Sequence, residues 1–130
     1  MKALKIIFIL HACITLAAGI VLIAAPAYIP ATVNIRLNPE AYLLSYFLGA
    51  AEMALAFLSF FASRLKGNEA IRLIASCFAL FHLLTALTEL YALTQGADSG
   101  LLANVLVRFM VSALFLYFGI YKRKHTETTL

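Results

Sequence analysis

Apolar positions fall in four long runs, residues 4–25, 42–63, 70–94 and 101–121, each closed by a few polar residues. Each run has roughly the 20 residues a helix needs to cross about 30 Å of hydrocarbon at about 1.5 Å per residue. Period-two alternation is absent and Ala and Leu dominate, so the runs predict helices, not strands. The breaks carry matching chemistry. Asn38-Pro39-Glu40 offers an N-cap, a first-turn proline and an acid at the positive end of the helix dipole. Gly67 is placed to stop the second helix and Asn68-Glu69 to start the third. Gly96 should end the third, and Asp98-Ser99 should cap the fourth.

Composition sharpens this picture. The chain is 64% hydrophobic and 12% charged, whereas soluble domains average about 45–50% and about 25%. A chain of 130 residues is mostly surface and cannot hide that much apolar area in one core. Low charge, six Gly, three Pro and two Cys also exclude a disordered, collagen-like or disulfide-stapled chain. The expectation is an all-α integral membrane four-helix bundle, one membrane domain over residues 1–130 with a tail at 122–130.

Charge gives an orientation. Lys2, Lys5, Arg64, Lys66, Arg72, Lys122, Arg123 and Lys124 gather at one set of span ends, and Arg36 alone lies in the opposite loops. By the positive-inside rule both termini are cytoplasmic; the expected location is a bacterial inner membrane. The same bias accounts for the +4 net charge, so no nucleic-acid partner is implied; the expected partners are membrane lipids. Tyr28, Tyr42, Tyr46, Tyr91, Tyr117 and Tyr121 all sit near span ends, as an interfacial aromatic belt requires. The first run, nearer 20 residues than the about 7–15 of a signal peptide's hydrophobic region and containing His11, reads as an uncleaved span.

An ionisable group at mid-span costs about 2.5–3.5 kcal/mol on insertion scales, so each demands a reason. The spans hold His11, Glu52, His82, Glu89 and Arg108, with Thr15, Thr85, Thr88, Asn104 and Ser112 as further hydrogen-bonding groups. At about 1.5 Å per residue, Glu89 and Arg108 match in depth, roughly 5 and 7 residues from the outer end. Glu52 and His82 lie about 10 and 12 residues in, near the midplane. Faces agree with depths. Ser45, Gly49, Glu52, Ala56, Ser59 and Ser63 make one small-and-polar stripe on the second span. His82, Thr85 and Glu89 share a face on the third, and Asn104, Arg108 and Ser112 on the fourth. Three such stripes facing one interior would line a polar cleft in the outer half.

Each group has a structural and a chemical use. Glu89 and Arg108 can neutralise each other, or Arg108 can hold a ligand's carboxylate or phosphate. Glu52 is either interhelical glue or a proton- or ligand-binding carboxyl, and His82 is a hydrogen-bonding neighbour at its depth. Two axial haem ligands should be nearly level, whereas His11 and His82 differ by about 9 Å along the axis, so a bis-His haem is rejected. No metal-ligand spacing, Cys-x-x-Cys, P-loop, Gly-x-Ser-x-Gly or dinucleotide fingerprint occurs, so no cofactor, metal or catalytic residue is assigned. Cys13 and Cys77 read as small core-filling residues.

The size, the four spans and the second-span segment Leu48-Gly49-Ala50-Ala51-Glu52 resemble small bacterial four-helix membrane proteins of the DoxX-like kind. Many of these have no assigned function, and no functional residue is carried over from them. Small multidrug exporters also have four spans and a membrane glutamate, but theirs lies in the first span. The expected function is binding of a small amphiphilic or lipid-like molecule by Glu52, His82, Thr85, Glu89, Asn104 and Arg108, in a protein that dimerises through small-residue faces. The alternatives are a proton-coupled small transporter using Glu52 and a structural or partner-binding membrane subunit. No internal repeat favours the transporter.

Overall fold

The structure, a computed structural model, describes residues 2–122. Arg123 and Lys124, counted above among the basic residues, and the remainder of the tail lie outside the described residues. Among the described residues there is no strand. The helices are α1 (Lys2–Ala24), a single turn α2 (Tyr28–Ala31), α3 (Tyr42–Ala62), α4 (Asn68–Thr94) and α5 (Leu101–Phe115). A 3₁₀ turn, Pro39–Ala41, leads into α3, and α5 continues as a π-helical segment, Leu116–Tyr121. Four helical stretches, Lys2–Ala24, Pro39–Ala62, Asn68–Thr94 and Leu101–Tyr121, are long and apolar enough to cross a membrane.

Helix ends follow local chemistry. Asn38 accepts a hydrogen bond from the Ala41 N–H at 3.1 Å, and Pro39 fills the first turn, as its sequence requires. Gly96, at φ +94°, ends α4 with a Schellman motif: its N–H reaches the Leu93 carbonyl, and that of Ala97 reaches Ala92. Asp98 then accepts from the Gly100 N–H at 2.7 Å ahead of α5. Gly67 does not stop α3. It is extended and sits just before α4, while α3 closes four residues earlier, where the Ser63 hydroxyl bonds the Phe60 carbonyl. The α2 turn within the first loop was not foreseen; Asn34, at φ +58°, closes it as Ile35 N–H returns to Pro30.

The described chain falls into two compact units, Phe8–Ser63 and residues 64–122 with the first turns of α1. In the first, α1 and α3 run antiparallel: Phe8 and His11 meet Ser59, Gly19 meets Gly49, and the Pro26 carbonyl accepts from Ser45. A Cβ on Gly49 would fall 2.9 Å from the Gly19 carbonyl oxygen, and one on Gly19 would fall 2.8 Å from that of Gly49. The small residues therefore allow the two backbones to touch, which is how membrane helices gain van der Waals contact. All six stripe residues of α3 are buried.

In the second unit α4 and α5 also run antiparallel. Phe78 and Phe115, both fully buried, meet at 5.2 Å, and Ser112 donates to the Ala79 carbonyl at 2.8 Å. Gly119 in the π segment lies against Ala75, where a Cβ would collide. Large apolar side chains point outward on every long helix, among them Ile14, Leu44, Phe57, Leu73, Leu106 and Met110.

Candidate functional site

The register of α4 on α5 decides which polar groups meet. With Phe78 at Phe115 and Ala79 at Ser112, the turns next to the α4–α5 loop bring Glu89 opposite Asn104 and Arg108. Asn104 Nδ2 donates to Glu89 Oε1 at 2.6 Å, and Arg108 Nε donates to the same oxygen at 2.9 Å. A carboxylate oxygen only accepts, so the amide nitrogen of Asn104 must face it. The Glu89 and Arg108 side chains keep 15% and 20% of their exposure, so water screens this pair weakly and the attraction is strong.

The valences left over define the site. Glu89 Oε2 is buried and accepts no hydrogen bond among the described residues. Arg108 is held through Nε alone; its terminal Nη1 and Nη2 groups donate no hydrogen bond among the described residues and are not enclosed. A fork-on-fork pair would place a second guanidinium nitrogen on Oε2. Here Asn104 shares Oε1, and the end of the guanidinium points elsewhere. The arrangement offers an oriented cation able to hold an oxygen acceptor.

The other expected residues are placed as follows. His82 is buried about 10 Å further along α4 from Glu89, with Phe81 edge-on at 5.3 Å and Phe115 parallel at 6.4 Å. Thr85 lies between them, but its hydroxyl bonds the Phe81 carbonyl of its own helix at 2.7 Å. Glu52 belongs to the other unit, buried on the α3 stripe between Gly49 and Ala56. Glu89, Asn104 and Arg108 are thus the expected residues that come into direct contact.

Sequence reasoning overlooked the pairing of His11 with Ser59. Ser59 Oγ donates its single proton to the Phe8 carbonyl at 2.9 Å, so the 3.1 Å contact with His11 is a bond from Nδ1–H to Oγ. A serine arranged this way is the acceptor of the histidine, the reverse of an activated nucleophile. Matched depth on neighbouring spans could have found it. Cys13 and Cys77 are both exposed, which corrects their reading as core residues. They fall off the buried arcs of their helices, which run through His11, Ala12 and Thr15 on α1 and Ala75, Phe78 and Ala79 on α4. Among the described residues no three His, Cys, Asp or Glu side chains gather to hold a metal.

Compared with protein-family models, curated proteins and solved structures, the chain has no significant match.

Proposed function

We propose that the chain is an integral protein of a bacterial inner membrane, with four spans and both termini cytoplasmic, that binds a small amphiphilic or lipid-like molecule at Glu89, Asn104 and Arg108. Outward-facing Leu, Ile and Phe side chains on four long helices suit hydrocarbon as a solvent. The basic residues at one set of helix ends set the orientation. The observation that carries the binding role is the guanidinium of Arg108, fixed by Nε with its outer end unused. Charged groups at membrane depth are expensive, and one with spare donors is a place for a polar headgroup. The resemblance of the segment Leu48 to Glu52 and of the four-span outline to DoxX-like proteins contributes no role to this reading.

A second reading has its own observation in favour: Glu89 and Arg108 neutralise each other, as in a membrane subunit whose polar residues only specify assembly. Organic extraction and mass spectrometry of protein purified in mild detergent separate the two. A co-purifying amphiphile, present in wild type and lost from a folded Glu89→Gln/Arg108→Gln double variant, is expected for binding. The same lipid content in both proteins would leave the assembly role.

A further inference from the structure

We infer that the ligand group read by this site is an oxyanion, a carboxylate or phosphate, docked end-on against Nη1 and Nη2 of Arg108; this rests on the amphiphile-binding reading above. Three features of the cluster lead there. The acceptor capacity of Glu89 is divided unequally: Oε1 takes both Asn104 and Nε, and Oε2 takes nothing. Nε and Asn104 converge on Oε1 and no guanidinium nitrogen reaches Oε2, so Arg108 makes a one-point contact with Glu89 and the donors of its distal edge are left over. That edge carries four N–H donors in one plane, the geometry that matches two oxygens of a carboxylate or phosphate. Donors left without acceptors in apolar surroundings are costly, and an oxyanion is the strongest acceptor available to them.

The counter-charge of Glu89 lies on the Nε side, so the open edge is the positive end of the pair. A cationic headgroup is repelled there, and an alcohol offers a single oxygen. Glu89 and Asn104 are positioning residues in this scheme; Arg108 alone touches the ligand. Arginine is required in place of lysine because a compact ammonium cannot contact Glu89 and present two parallel donors at once.

The test is a native mass-spectrometric titration of the full chain in a neutral maltoside detergent with dodecyl phosphate, dodecanoate, dodecanol and dodecyltrimethylammonium. One phosphate or carboxylate amphiphile per chain is expected, with no saturable binding of the alcohol or the ammonium. Arg108→Lys, which keeps the charge and the pair with Glu89, should weaken anion binding by about tenfold or more, the worth of a lost charge-assisted hydrogen bond. Inorganic phosphate is the further arm: binding as tight as that of dodecyl phosphate would support the oxyanion site and assign it to a free anion. Equal binding of dodecanol and the anions, or an Arg108→Lys variant that matches wild type, would overturn the inference while leaving an amphiphile-binding protein. Binding of none of the probes would overturn both.

Discussion

The two helical hairpins solve the same packing problem with different chemistry. In α1–α3 glycine carbonyls, the Ser59 hydroxyl, the His11 ring and the Phe8 carbonyl make contacts between the helices. Each contact brings backbones together or satisfies a backbone acceptor. In α4–α5 the apolar turns, with Phe78, Phe115 and Gly119, do the packing, and the charged groups stand apart in the turns next to the connecting loop. Polar residues that fasten helices use up their hydrogen-bonding capacity on one another. Those of the Glu89 cluster do not, since Oε2 and the end of Arg108 are left over. That surplus separates a fastening from a site.

The largest effects should come from breaking the charged hairpin one partner at a time. Arg108→Leu leaves the half-buried Glu89 carboxylate without its cation and should cost about 3–5 kcal/mol in detergent unfolding titrations. The reversal Glu89→Arg with Arg108→Glu should recover much of that loss; a reversed pair no more stable than either single variant would show that the pairing contributes little. In α1–α3, Gly49→Ala should cost about 1–3 kcal/mol, because the backbone and side chains around it must separate. Wild-type stability for that variant would mean that α1 and α3 do not touch there.

Smaller effects sharpen the contrast. Ser59→Ala removes the acceptor of His11 Nδ1–H and the donor to Phe8, and should cost about 0.6 kcal/mol and at most about 1.7, as membrane hydrogen bonds do. Cys77→Ala, on an exposed position of α4, should fall within about 0.5 kcal/mol of wild type. A larger loss would place Cys77 in a contact that its exposure denies.

The elements were legible because the runs of Leu and Ala are long and lack period-two alternation, which leaves the helix as the regular structure that fits them. The α3 stripe was legible too, since small residues spaced 4-3-4-3-4 leave one face free of bulk. Its direct neighbour was not. That Gly49 meets Gly19, and Ser59 meets His11, depends on register, which apolar composition does not encode. For the site, matched depth sufficed to pair Glu89 with Arg108. The part played by Asn104, one helical turn before Arg108, was not visible. Its effect rests on which carboxylate oxygen each donor takes, a matter of ångströms set by Phe78 against Phe115 several turns away. The π turn at Leu116–Tyr121 was likewise hidden, because nothing in an apolar run signals an i to i+5 bond.

The central claim is that the Glu89–Asn104–Arg108 cluster holds a ligand and is not spent on itself. The most direct measurement is the native mass spectrum of wild-type protein released from mild detergent, beside that of the Glu89→Gln/Arg108→Gln double variant. The account expects one small adduct per chain on the wild type, absent from the folded double variant. A wild-type chain that flies bare, or a double variant carrying the same adduct, would contradict it.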